Sequence, residues 1–310
     1  MQPTRTHALS HGVRRLGDAA RRALGATAIA GIIAGCAAQP AGQPPAALTT
    51  AEIIQVEQAE QTLIQRCMAR HGFSYWPPAQ LSEEERKGSG FMLTDVEWAR
   101  KNGYGGRLRA RIMAAKTASR NHAYAGGLPA GELRRYNQAL DGGDDAATMT
   151  VRLPSGGRVT SKSGGCLGEA LERLYGDRST WFESSTIATN LQPLYVPGLL
   201  ADQRFQTVLR SWSRCMEARG HAYPDPPAIR SALPGLTKGL DQDAAHAVEV
   251  ELAVAEATCA RAASYIEVAG SLEDEYRERA GRPYADELNT YRRLKRAAFD
   301  QARQINRNQP

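Results

Sequence analysis

Two stretches of this chain repeat one another around a cysteine. Arg66-Cys67-Met68-Ala69-Arg70-His71-Gly72-Phe73-Ser74-Tyr75-Trp76-Pro77-Pro78 recurs as Arg214-Cys215-Met216-Glu217-Ala218-Arg219-Gly220-His221-Ala222-Tyr223-Pro224-Asp225-Pro226. Counted from each cysteine, identities fall at −1, 0, +1, +5, +8 and +11. Each copy closes an amphipathic stretch. Phe205, Val208, Leu209, Trp212, Cys215 and Met216 follow the three-four spacing of one buried helix face, and Ile53, Val56, Leu63, Ile64, Cys67 and Met68 do so less regularly. Thr49 with Glu52 has the form of a capping box at the start of the first helix. Gly72 and Gly220 stand where a left-handed glycine ends a helix, and the prolines beyond turn the chain away. A chain built this way is predicted to be mainly α-helical, with two related halves.

The beginning of the chain reads as an address. Arg5, Arg14, Arg15, Arg21 and Arg22 form a basic region ahead of an apolar run from Ala23 to Ala34. That run has the length of a signal-peptide core and is too short to span a bilayer. It ends in Ile33-Ala34-Gly35-Cys36, which resembles the lipobox of bacterial lipoproteins, in which the cysteine receives diacylglycerol and becomes the first residue after cleavage. The segment carries five arginines against Asp18, so the rest of the chain holds 34 basic and 32 acidic residues. Its net charge is then about +2 rather than +6, which removes the main support for a nucleic-acid partner. The expected organisation is a signal peptide over 1–35, a Pro/Ala-rich tether over 36–50, a first helical half over 51–198 and a second over 199–310. Two acyl chains at Cys36 would hold the protein on the outer face of the cell membrane.

With Cys36 assigned to lipid, Cys67, Cys166, Cys215 and Cys259 remain, an even set in an oxidising compartment. No pair has the close spacing of a zinc motif. Of the three connectivities open to them, the repeat favours Cys67–Cys166 and Cys215–Cys259, each tying a helix end to the next long helix of its own half. Leu167, Ala170, Leu171 and Leu174 are read as one face of the helix after Cys166. Val248, Leu252, Ala255, Cys259, Ala262 and Ile266 are read as the face of a longer one. Between the first two cysteines, Leu81–Gly90 reads as a mobile solvated loop, Thr94 with Glu97 as the cap of a short helix, and Gly103-Tyr104-Gly105-Gly106 as a turn. Pro129 opens another helical stretch, carrying Leu133, Tyr136 and Leu140 before Gly142-Gly143. Thr148–Lys162 reads as a small β-hairpin with a Pro-Ser-Gly-Gly turn. Asp177–Gly198 is taken as a connector. Beyond it, Tyr284, Leu288, Tyr291, Leu294 and Ala298 form a stripe expected to pack against its own half.

No catalytic signature is found: no nucleophile elbow, phosphate loop, zinc-protease helix or dinucleotide fingerprint. Gly103–Gly106 lacks the Lys-Ser/Thr that a phosphate cradle requires. Glu169 and Glu172 beside Cys166, and Glu273, Asp274 and Glu275, read as solvated helix faces. His71 and His221 sit at +4 and +6 from their cysteines, an offset that argues against a shared ligand role. Tyr75 and Trp76 in one repeat and Tyr223 in the other form the candidate binding surface, against the plainer reading that they cover a disulfide.

The two CM-x3-G-x2-Y helix ends, Gly165-Cys166 followed by Glu169-Ala170 and Leu174-Tyr175-Gly176, and the lipobox together resemble uncharacterised lipoproteins of high-GC Gram-positive (actinobacterial) bacteria. That resemblance implies export and anchoring. It carries over no functional residues. The expectation is therefore a non-enzymatic binding or scaffolding lipoprotein at the cell envelope, with no cofactor and no metal, working on a protein or cell-wall partner. The rival is an envelope enzyme of the wall-hydrolase type with an unrecognised carboxylate site, which would need a pocket with two convergent carboxylates of perturbed pKa.

Overall fold

The computed structural model describes residues 45–307 apart from Ser89. The signal segment, Cys36 and most of the tether lie outside the described residues. Helix α1 (Thr50–Arg70) starts on the expected box: Thr49 Oγ1 accepts the Glu52 N–H at 3.2 Å, and the Glu52 carboxylate accepts the Thr49 N–H at 2.7 Å. The helix ends at Gly72, whose φ of 82° is the left-handed conformation that glycine adopts without a Cβ penalty. There the Phe73 N–H reaches back to the Met68 carbonyl and the Gly72 N–H to the Ala69 carbonyl, both at 3.0 Å.

The second repeat folds the same way. Helix α9 (Gln203–Glu217) ends at Gly220, φ 85°, with His221 N–H bonded to the Met216 carbonyl and Gly220 N–H to that of Glu217. The likeness goes past the identities in sequence. In each copy the side chain two residues before the cysteine donates to the carbonyl of the tyrosine eight residues after it: Gln65 Nε2 to Tyr75 at 3.0 Å and Ser213 Oγ to Tyr223 at 2.7 Å. Met68 and Met216 are both fully buried. Two disulfides join Cys67 to Cys166 and Cys215 to Cys259, one in each half.

From α1 the chain passes a single 3-10 turn (Glu84–Arg86) into α2 (Val96–Asn102), α3 (Gly106–Thr117), α4 (Arg120–Gly126) and α5 (Ala130–Asp141). The antiparallel hairpin β1 (Thr148–Arg152) and β2 (Arg158–Lys162) pairs Thr148 with Lys162 and Val151 with Val159. Then come α6 (Gly165–Tyr175), α7 (Arg178–Thr189), α8 (Gln192–Ala201), α9, α10 (Pro226–Leu236), α11 (Gln242–Ala262) and α12 (Tyr265–Gly281). A 3-10 turn at Arg282–Tyr284 leads into α13 (Ala285–Arg307). The structure is thus mainly α-helical, with one small hairpin in the first half.

Several local expectations are corrected. Within the expected loop over 81–90, residues 81–88 are tied down rather than loose: Trp98 Nε1 donates to the Glu84 carbonyl at 2.8 Å, and Arg86 pairs with Glu57 of α1. The cap of α2 is Asp95, which accepts the Trp98 N–H at 3.0 Å, and not Thr94. The supposed connector 177–198 is helix, with Asp177 capping α7. Leu167 faces solvent. Ile266 is not on the Cys259 helix, because that helix ends at Ala262 and Ser264 turns left-handed with φ 53°; Ile266 is 52% exposed on α12.

The two halves each keep a disulfide but exchange partners, and residues 44–310 form one unit. The last helix packs on the first. Val56, Ala59 and Leu174 close against Ala298, Ala302 and Ile305, and Arg296 reaches Glu52 at 2.7 Å. The stripe on α13 therefore serves the first half at Leu294 and Ala298, while Leu288 packs on α8 and α12. In the other direction α2 lies on α11, so Met92, Leu93, Trp98 and Tyr104 share a core with Trp212, Met216, Leu252 and Cys259.

Candidate functional site

The tyrosines of the aromatic surface expected from the repeat pack on two different cores. Tyr75 is half-buried against the core of α1, α5 and α6, with its hydroxyl donating to Gln61 Oε1 at 2.9 Å. Trp76 is held edge-on to Tyr124 at 5.6 Å, lies under the Arg120 guanidinium at 4.4 Å, and exchanges two backbone hydrogen bonds with Asn121. Tyr223 packs on the other core, beside Trp212 and Cys259. The equivalent tyrosines thus cover different helix ends, and the repeat has a structural use at each.

The acidic groups with raised pKa are also separate. Glu256 on α11 is fully buried and serves three donors. Its carboxylate accepts the Leu93 N–H and the Tyr104 hydroxyl at 2.7 Å each and Arg230 Nη2 at 3.2 Å. Burial raises its pKa, and Arg230 and the other donors partly offset that. Tyr104 is pushed up strongly, first by burial and then by Glu256, so it stays a donor. Two helical turns earlier, Glu249 accepts the N–H groups of Tyr104 (3.2 Å) and Gly106 (3.1 Å). The glycine-rich turn is therefore an anion cradle after all, and the anion is an internal carboxylate. The second acid raised by burial, Glu60 on α1, has Glu57, Arg178, Tyr75 and Tyr175 acting on it, whereas Arg230, Leu93 and Tyr104 act on Glu256. Glu60 and Glu256 do not converge on a common point.

A cavity of about 820 Å³ opens beside Ala46–Leu48, ahead of α1. Ala46–Leu48 line one side, the ends of α7 and α8 another, and α12 and α13 the rest. Its floor is apolar and aromatic: Leu48, Ile53, Leu191, Leu288 and Tyr291. Tyr291 is the outer ring of a stack, 5.6 Å from Trp181, which lies 3.6 Å from Tyr175. The acids on the wall are already matched. Glu273 takes the Tyr195 hydroxyl and Arg277 at 2.9 Å, and Glu278 takes Arg282 at 3.4 Å. Burial alone would raise the pKa of Glu273, but these hydrogen bonds outweigh it and hold it below the usual value. Asp274 has a weaker contact with Arg277 at 3.9 Å.

Two cations on one turn of α13 differ from these. Neither Arg292 nor Lys295 has an acidic partner within ion-pair distance among the described residues; Arg292 touches Asn289 and Lys295 lies over the Tyr291 ring at 5.5 Å. Lys295 is half-buried, and desolvation lowers its pKa despite Glu57 nearby. The cavity thus joins an apolar floor to two cations that have no ion-pair partner among the described residues, an arrangement suited to a ligand with a hydrocarbon body and an anionic end. None of these residues was singled out in the sequence as a ligand contact. They come from four segments separated by helices whose packing no periodicity announces. No family model, curated protein or solved structure matches this chain.

Proposed function

We propose that the protein is exported, anchored by lipid on Cys36 at the outer face of the cell membrane, and binds a small anionic amphiphile in the cavity between α7, α8, α12 and α13. The observation that carries this reading is the pair Arg292 and Lys295, without acidic partners among the described residues, above the floor of Leu191, Leu288 and Tyr291. The two disulfides agree with an oxidising compartment. Ala46 at the cavity rim is ten residues from Cys36, a reach of at most about 36 Å for a fully extended chain, so an anchor at Cys36 keeps the cavity within that distance of the bilayer surface.

Calorimetric titration of the soluble chain with dodecyl phosphate, below its micelle concentration, tests the ligand class. One saturable site is expected. Lys295→Met should weaken it about tenfold or more, since a charge-assisted hydrogen bond contributes about 1.5–3 kcal/mol. Removing a desolvated ammonium should leave the fold at least as stable, so lost binding would not be lost structure. Equal binding of dodecyltrimethylammonium, or unchanged affinity in the variant, contradicts the reading. For the anchor, Cys36→Ser should move the protein from the membrane to the soluble fraction. Unchanged membrane retention would refute the lipid attachment.

A further inference from the structure

We infer that the Cys67–Cys166 disulfide conceals a redox-gated zinc site. Two facing helices each bring a pair of ligands: Cys67 on the last turn of α1 with His71 at its C-cap, and Cys166 near the start of α6 with Glu169 one turn on, at i and i+3 of one helix face. The ligand atoms of Cys67, His71 and Cys166 all lie within 4.8 Å of one another. A carboxylate oxygen of Glu169 is 3.3 Å from Cys67 Sγ. Around one zinc ion, with bonds of about 2.0–2.3 Å, tetrahedral donors lie about 3.3–3.8 Å apart, so the two sulfurs once reduced and His71 supply two thiolates and one imidazole, and the Glu169 carboxylate, which pairs with Arg70 in the oxidised protein, becomes the fourth ligand by turning from that arginine. Cys166 is the second residue of its helix, where unpaired backbone N–H groups favour the thiolate.

The other disulfide lacks this equipment. The position equivalent to His71 is Arg219, and His221 faces Glu251 at 3.6 Å. Only one half of the repeat therefore carries the site, which is the sense of the unequal histidine offsets. The chemistry balances with a dithiol as reductant. The dithiol transfers two electrons and two protons, becoming a disulfide while Cys67 and Cys166 become thiols. Zinc then binds both sulfurs as thiolates and releases the two protons. A disulfide oxidant closes the cycle: it takes two electrons from the thiolates and two protons from solvent and becomes a dithiol, while Cys67 and Cys166 rejoin and the ion leaves as Zn2+.

The full chain, reduced anaerobically with a thiol-free phosphine and titrated with Co2+, tests this. The expected result is one equivalent bound, with thiolate-to-cobalt charge-transfer absorption and tetrahedral visible bands that Zn2+ abolishes. His71→Ala, a change at an exposed residue, should melt like wild type when oxidised yet bind Co2+ at least about tenfold more weakly when reduced. The inference is overturned if the charge-transfer band does not develop, if it is the same in His71→Ala, or if it persists when Cys67 and Cys166 are both replaced by serine. Loss of binding because the reduced chain unfolds overturns it too.

Discussion

Replacing Glu256 with alanine strips the acceptor from three donors at the place where the halves are joined. Leu93 N–H and the Tyr104 hydroxyl come from the first half, and each is buried, so each loses its partner without gaining water. An orphaned buried donor costs about 1–3 kcal/mol. Arg230 is about one-third exposed and keeps its bond to the Phe91 carbonyl at 3.0 Å, so its share is discounted to at most about 1 kcal/mol. The sum is about 2–7 kcal/mol of lost stability for Glu256→Ala, a large part of what holds a domain folded. Glu256→Gln retains the shape and one acceptor oxygen and should lose only about 1–2 kcal/mol. Urea unfolding of the oxidised protein reads both, and an unchanged slope shows that the native state has kept its compactness. A double-mutant cycle with Tyr104→Phe should give a coupling of at least about 1 kcal/mol. If Glu256→Ala loses less than about 1 kcal/mol, the carboxylate does not join the halves and the reasoning fails.

Three further outcomes follow from the same geometry. Chain-entropy arguments give about 5 kcal/mol for the disulfide closing 99 residues and about 4 for the one closing 44, so Cys67→Ser with Cys166→Ser should lower the urea midpoint more than Cys215→Ser with Cys259→Ser; the reverse order would contradict this. Gly106→Ala places a Cβ 2.2 Å from Glu249 Oε1 and should destabilise by about 1–3 kcal/mol, while Gly270→Ala, in open space within α12, should stabilise by about 0.5–1 kcal/mol, both read by thermal melting. Arg204, the α9 N-terminus and the Tyr276 hydroxyl hold the Asp202 carboxyl well below its ordinary value of 3.8, so its stabilisation is complete above that pH and is lost as pH falls through the folded-state pKa. Asp202→Asn keeps a capping oxygen, and its urea midpoint should trail wild type by a constant amount above about pH 5 and converge with it toward about pH 2.

The parts of this fold legible in the sequence are those that local chemistry decides. Thr49 with Glu52, the glycines at 72 and 220, and the Pro-Ser-Gly-Gly turn each act within a few residues, so their pattern is their mechanism. The disulfide pairing was readable because the repeat put equivalent cysteines on equivalent helix ends. Identity was a poorer guide than geometry even there: Gln65 and Ser213 make the same bond to the tyrosine carbonyl without looking alike. The packing of α13 on α1 left no such trace, because an apolar stripe records that a face is covered and not by which helix. The break at Ser264 was hidden for the opposite reason, since an alanine-rich run continues the helical period across a residue whose backbone leaves it. The cavity between α7, α8, α12 and α13 was least visible. Its cations look like any solvated helix face until α7 and α12 are folded against α13 and the neighbouring acids are seen to be taken by Arg277, Arg282 and Tyr195.

Native mass spectrometry of the protein purified from its own cells tests the binding claim most directly, with wild type set beside Arg292→Met/Lys295→Met. The account predicts one additional small molecule on wild type, anionic and carrying a hydrocarbon chain, that is absent from the double variant. Wild type without added mass, or the same adduct on both proteins, would contradict it.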